Sequence, residues 1–375
     1  MNLKGKTIRL LPGGRVLVGY LTRELLGKIF ATAAVIVALM EVLALLEQVT
    51  EIMGRHLGLS GVLYYAVIRL PLLFGNAMPL AVLIGALITL LQLTISNEIS
   101  ILRAAGLSTP GLFRLFLPAI LGLGLLCVVV DDQVVPRSEI AQARWWNATN
   151  PSPTGVSRDV WFRTGMTLVN VQGIAKGGRE LHDVTVYRRD HDGQVEKVIH
   201  LPKVSYFINR WSGYPDHVLT VISPTRMEQL DPDSSSDTRL VLDWPRTLTP
   251  DLVLQLALDT PQSILTMMQV LDNDFPSSQS PAFFMTEILG RIMLPLTFTV
   301  MLLLAIPVVY IPPRAGTRSW LPIWCLGAGL LFVVFQGLLR ALGNAGTLPS
   351  LVAVFVGIVI FILGVVTVLL RIEER

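Results

Sequence analysis

Charge is scarce in this sequence: Asp, Glu, Lys and Arg make up 15% of its 375 residues, while apolar types make up 52%. Soluble domains run near a quarter charged, so an ordinary soluble globule is excluded and membrane spans are indicated. The net charge of +3 comes with no dense basic run, which excludes nucleic-acid binding through a basic face. Cysteine is limited to Cys127 and Cys325, both inside apolar runs, where small packing residues are expected and a disulfide or metal site is not. His182, His191, His200 and His217 are scattered through the middle of the chain without ligand spacing, so surface histidines are expected. Gly5-Lys6-Thr7 copies the end of a phosphate-binding loop but lacks its first glycine and a preceding strand, so nucleotide hydrolysis by that route is excluded. No short apolar core with a small-residue cleavage site opens the chain, and the first apolar run is expected to be a retained span.

What is present is a set of six long apolar runs, near Ile29–Leu46, Leu63–Ile95, Leu112–Val135, Phe283–Ile311, Trp320–Leu342 and Leu348–Leu370. About 20 residues cross a bilayer as a helix, so each predicts one span. Residues 1–28 hold Lys4, Lys6, Arg9, Arg15, Arg23 and Lys28 against Glu24 alone. Arg314 and Arg318 fall between the fourth and fifth runs, Arg371 and Arg375 close the chain, and the loop Gly343–Thr347 is uncharged. The positive-inside rule then predicts cytoplasmic termini and an external middle third. Glu41 lies within the first run and marks a side facing protein or water. Pro71 and Pro79 are expected to kink the second run, and Asp131 and Asp132 to sit at the outer interface after the third.

Between Pro136 and Ser280 the pattern changes to short, partly alternating β-rich runs, such as Asp159-Val-Trp-Phe-Arg, Met166-Thr-Leu-Val-Asn-Val and Asp183-Val-Thr-Val-Tyr. Turn residues such as Lys176-Gly-Gly and His191-Asp-Gly separate them, and Asp231-Pro-Asp-Ser forms a loop. One all-β domain is expected, a sandwich, jelly roll or open barrel. Thr249-Pro-Asp-Leu and Thr260-Pro-Gln-Ser look like helix starts leading back to the membrane. The resulting division is 1–135 with three spans, 136–280 all-β, and 281–375 with three spans.

Between the second and third runs lies Asn97–Gly111. Ser96 or Asn97 can cap a helix that has Glu98 in its first turn, Gly106 sits at a C′ position, and Thr109-Pro110 reads as the next N-cap. A surface helix of two or three turns is too short to persist in water without a partner. The alternative is an interhelical loop that happens to cap well. Glu287 and Arg291 are four apart near the outer end of the fourth run. They form either a self-neutralising pair or an arginine offered to an anionic headgroup.

These residues resemble a known family. Tyr20-Leu-Thr-Arg-Glu, Asn97-Glu-Ile…Arg-Ala-Ala-Gly106, Gly290-Arg-Ile-Met-Leu-Pro and the 3 + β domain + 3 layout are similar to the lipopolysaccharide export permeases LptF and LptG, from about residue 18 onward. Val160-Trp-Phe-Arg-Thr-Gly with Leu168-Val-Asn-Val, and Ala341-Leu-Gly-Asn-Ala-Gly-Thr-Leu-Pro, look like the LptG branch. Glu287-x-x-x-Arg291 and Pro312-Pro-Arg-Ala-Gly are closer to LptF.

The resemblance implies six transmembrane helices with an inserted periplasmic jelly-roll-like domain, in the inner membrane of a bacterium with an outer membrane. It implies a non-catalytic subunit of an ATP-driven exporter that extracts lipopolysaccharide and passes it to a periplasmic bridge. The implied partners are an LptF-like permease, an LptB-like ATPase dimer and LptC- or LptA-like jelly-roll proteins. No cofactor is expected in this chain, ATP and Mg²⁺ belonging to the ATPase. Asn97, Glu98, Ile99, Leu102, Arg103, Ala105 and Gly106 would form the coupling helix, with Glu98 the acid docking in the ATPase. The first and fifth spans would line lateral gates. Val160, Phe162, Leu168, Val171, Val184 and Val186 are the expected groove residues for acyl chains, or else a closed core.

One departure stands out. LptG-type first spans tend to carry lysines in the outer half for lipid A phosphates, whereas this chain reads Ala44-Leu-Leu-Glu-Gln-Val-Thr-Glu51. Phosphate recognition would then be weaker and come from Arg69 or Arg55, beside Arg291 as the arginine offered to a headgroup, or the native lipid has fewer phosphates. The rival classes are an LptF-type subunit, a mechanotransmission permease that carries no lipid, and a scaffold without an ATPase.

Overall fold

A computed structural model describes residues 12–149, 156–164, 167–190, 194–207, 210–215, 217–223, 226–230, 240–241, 244, 248–257, 262–272, 277–311 and 320–373. The basic residues before Pro12, His191, the loop from Asp231, Arg314, Arg318 and Arg375 lie outside them. Each apolar run becomes helix. The first two form α1 (Pro12–Gly54) and α2 (Gly58–Ile95), followed by the short α3 (Glu98–Ala104) and then α4 (Thr109–Val129). After the sheet come α6 (Pro250–Ala257), α7 (Ile264–Leu271), α8 (Pro281–Ile292), α9 (Leu294–Ala305), α10 (Leu321–Asn344) and α11 (Ser350–Glu373). Among the described residues, five helical runs are long and apolar enough to cross a membrane, or six if α8 and α9 count as one broken span.

Close backbone approach holds the bundle together. A Cβ on Gly85 of α2 would stand 2.7 Å from the Ile29 Cα of α1, and one on Gly124 of α4 would stand 2.5 Å from the Pro295 Cα of α9. Where lipid is as apolar as leucine, such small-residue contacts carry helix association. Met78, Leu83, Leu90, Phe116, Phe298 and Met301 fill the core between them, all fully buried.

Two breaks depart from the expected single spans. Helix continues past α4 through a π-turn, Val130–Val134, into α5 (Val135–Ala148), so the chain leaves the helical run after Ala148 and not near 135. Asp131 and Asp132, expected at its end, therefore sit inside it. The fourth run bends by 54° between α8 and α9, beside Met293. Pro295 has no N–H to give the preceding turn, which is the physical cause.

Among the described residues, the middle of the chain forms an antiparallel sheet of eight strands: β1 (Val156–Thr164), β2 (Thr167–Ala175), β3 (Glu180–Arg189), β4 (Val195–Phe207), β5 (Arg210–Gly213), β6 (His217–Ser223), β7 (Arg226–Leu230) and β8 (Leu240–Val241). Strands β1 to β4 follow as a meander. At the 13-residue β4 the sheet forks, because its C-terminal half pairs with β5 and its N-terminal half with β6. One face is apolar and closes over α6. Leu252, Val253 and Leu256 are buried against Val160, Phe162, Val169, Val171 and Val184, and Trp211 Nε1 donates to the Leu248 carbonyl at 2.7 Å.

Candidate functional site

The helix α3 is seven residues long, and its ends are set by the residues expected to set them, with one change of mechanism. Asn97 precedes it in the left-handed region (φ 62°), which asparagine tolerates, but its side chain makes no capping bond. Ser96 Oγ instead donates to Glu98 Oε1 at 2.9 Å. At the far end Gly106 has φ 89°, and the Gly106 and Leu107 N–H groups bond the Arg103 and Leu102 carbonyls, a Schellman closure. The next helix is capped by Ser108, one residue before the expected Thr109. The Thr109 hydroxyl is engaged by the Tyr310 hydroxyl at 2.8 Å.

Packing holds α3 on one side only. Ile99 is buried and Leu102 half-buried against the bundle core, and the Arg103 guanidinium lies 4.7 Å from the Tyr310 ring centre. Glu98 is half-exposed, while Asn97, Arg103, Ala105 and Gly106 are exposed and Ile101 shows 66% of its surface. The seven expected coupling residues are thus one contiguous, half-packed projection.

Inside the bundle, the π-turn and the α8–α9 break border the same polar cavity, of about 280 Å³. Asp131, Glu287, Arg291, Gln336 and Arg340 line it. Arg291 is 8% exposed; its Nη1 donates to the Gln262 carbonyl at 2.6 Å, and its Nε is 3.5 Å from Glu287 Oε1. It is therefore engaged as a structural clamp. Arg340 Nη2 donates to the Gly290 carbonyl at 3.1 Å, just before the bend, where a Cβ on Gly290 would meet the guanidinium carbon at 3.1 Å. Asp132 Oδ1 accepts from the Ile264 N–H at 2.6 Å and so fastens α7 to the π-turn. The sequence reading missed Arg340 and Gln336; an arginine within an apolar run was the available signal.

Of the three arginines offered for phosphate, Arg55 and Arg69 flank one aromatic pair, Trp146 and Tyr65, while Arg291 is engaged elsewhere. Arg55 is pinned by Glu51 Oε1 at 2.6 Å and the Trp146 carbonyl at 2.9 Å, and lies 3.8 Å over the Trp146 ring. Arg69 donates to the Tyr65 hydroxyl at 2.6 Å. Arg291 belongs to the clamp described above.

Of the expected groove residues, Val160, Phe162, Val171, Val184 and Val186 share the buried face of the sheet. Leu168 does not. It pairs with Arg163 and Tyr187 on the other face, and Val169 takes the inner place. Side chains alternate with period two, so positions 168 and 171 cannot face the same way.

The comparisons with known proteins agree with this architecture. The family described as lipopolysaccharide export system permease LptF/LptG matches residues 19–371. Lipopolysaccharide export system permease protein LptG of Haemophilus influenzae is 22% identical over 92% of this chain and 95% of its own. Its namesake in Escherichia coli K12 is 21% identical over 90% of this chain and 93% of its own.

Proposed function

The chain belongs to the LptF/LptG family of lipopolysaccharide export permeases, a subunit of a transporter in the inner membrane, and we propose that it is the LptG-type member driven through α3 by a separate ATPase. The half-finished packing of α3 carries this reading. A seven-residue helix held by Ile99 and Leu102, with its other side bare, is shaped to receive push from a docked protein. The motor is an LptB-like ATPase dimer holding ATP and Mg²⁺, with Glu98 docked in it. The second permease is LptF-like.

On this reading the termini and α3 are cytoplasmic and the sheet is periplasmic. Helices α1 and α10 line the two lateral gates; each carries an exposed apolar stripe, including Val35, Leu39 and Leu46 on α1 and Trp324, Leu331 and Val334 on α10. Exposing acyl chains to water costs about 0.8 kcal/mol per CH₂, so cargo must pass from cavity to apolar groove without leaving cover. The sheet's inner face, with Val160, Phe162, Val171, Val184 and Val186, takes the chains when α6 withdraws Leu252, Val253 and Leu256 from it. LptC- or LptA-like proteins receive them.

Copurification tests the motor. An ATPase without spans of its own should accompany the wild-type complex, and Glu98→Lys should abolish ATP-driven lipid release. Full release by the Glu98→Lys protein would refute docking through this acid.

A further inference from the structure

At the end of the bundle opposite α3, three helices bring together polar groups that transport through α3 does not use. Glu41 of α1 is only 9% exposed, yet neither carboxylate oxygen has a hydrogen-bond donor among the described residues. Glu139 and Gln142 of α5, one turn apart on one face, each hold a further buried oxygen without a donor. Val37 of α1 packs with Leu73 of α2, which sets Glu41 and Arg69 one turn further along the same helix seam; Arg69 donates to the Tyr65 hydroxyl at 2.6 Å, and the Tyr65 ring lies 6.1 Å from that of Trp146, one turn beyond Gln142 on α5. Two carboxyl groups and an amide oxygen against one guanidinium leave an excess of acceptors.

Depth identifies what meets them. Tyr64, Tyr65, Trp145 and Trp146 form one aromatic cluster beside these groups, with ring centres 5.1–6.1 Å apart. Tryptophan and tyrosine collect at the headgroup level of a bilayer. Glu41 is six residues, about 9 Å of helix, before Glu47 at the end of the apolar run. The cluster thus lies just inside the outer end of the apolar belt, within reach of a headgroup.

We propose that Glu41, Glu139 and Gln142 receive the primary ammonium of a lipid headgroup whose phosphate meets Arg69, that is, a phosphoethanolamine-type group. An ammonium brings three donors to acceptors that have none among the described residues. The ester phosphate adjoining it takes the guanidinium N–H groups that Tyr65 leaves over. Such a group can come from a bulk aminophospholipid or from an ethanolamine-substituted lipid A. Only the lipid A source rests on the transport reading above.

Native mass spectrometry of the purified permease–ATPase complex, titrated with defined lipids, separates these. Phosphatidylethanolamine is compared with phosphatidylglycerol, and lipid A bearing ethanolamine on its phosphates with unsubstituted lipid A. The amine-bearing member of at least one pair should bind about tenfold more tightly. The isosteric Glu41→Gln/Glu139→Gln variant should bring that pair within about twofold. The pair that responds names the source. Equal binding within both pairs, or a preference that survives the double variant, overturns the proposal. So does release of the second permease from the double variant, which would mean that the acids face a basic side chain of that partner. If the double variant does not accumulate, Glu139→Gln alone, at the more exposed carboxylate, is judged by the same criteria. A complex that binds neither lipid A breaks the transport reading, while the phospholipid pair still judges the cluster.

Discussion

Helices α3 and α6 are alike in sequence terms: seven and eight residues long, each with apolar residues at helical spacing. Neither has the length to persist alone in water. Their settings differ. Helix α6 sinks Leu252, Val253 and Leu256 into the sheet with almost nothing of them left showing. Helix α3 buries Ile99, half-buries Leu102 and leaves Ile101 bare. A short helix packed on the sheet is held by its own chain, and one with half its packing missing leaves the surface that the proposed ATPase docking needs. The same contrast separates the arginines: Arg55 and Arg291 each engage a carboxylate and a carbonyl, whereas Arg69 donates to a tyrosine hydroxyl near unmet acceptors.

The strongest challenge to this contrast is Val253→Asp. A carboxylate forced into a fully buried apolar site should cost the β domain about 4 kcal/mol or more, read as lost tryptophan fluorescence cooperativity on heating. If the domain melts unchanged, α6 is not part of its core and the groove is already open. Next comes Ile99→Ala, expected to loosen α3 by about 2–3 kcal/mol and to show as faster hydrogen exchange in residues 98–104, with the rest of the bundle unaltered. Ile101→Ala sharpens the point from the other side. Thermal stability should stay within about 0.5 kcal/mol while affinity for the ATPase falls by about 1 kcal/mol, a fivefold loss on titration.

The smallest effect is at the sheet surface. Glu180 accepts from Lys176 at 2.6 Å and lies 3.3 Å from Lys203, and the Lys176 hydrogen bond, with Lys203 contributing, holds its carboxyl below the usual range. A pKa lowered by folding gives stability that is present above the unfolded carboxylate pKa and lost as pH falls through the folded one. Wild type and Glu180→Gln should therefore differ at neutral pH and converge in acid, by no more than about 1 kcal/mol for so exposed a pair. Divergence in acid would reverse the sign and refute the pairing.

Legibility tracked the range of the interactions involved. The six apolar runs, the helix between Asn97 and Gly106 and the alternating middle were readable because hydropathy and punctuation act within a few residues. Glycine at 106 ends α3 as its place in the pattern required, since only a left-handed residue closes a Schellman turn. Leu168 was misassigned because two apolar neighbours, Leu168 and Val169, compete for one inward place, and pairing with Tyr187 and Val186 across the strand decides between them. Asp131 and Asp132 looked like the end of a span because charge normally ends one. A partner far along the chain, the Ile264 N–H that Asp132 Oδ1 accepts from, makes charge tolerable there.

The order of residues was enough for the class of protein, the number of apolar runs, the inserted sheet and the position of the surface helix, for each follows from periodicity and local capping. Only folding in three dimensions could decide that α6 fills the sheet, that two broken spans share one polar cavity, and that α1, α2 and α5 set Glu41, Arg69 and Glu139 at one end of the bundle. Those outcomes depend on which of many compatible surfaces come into contact, and residues nearly a hundred positions apart carry no local trace of one another.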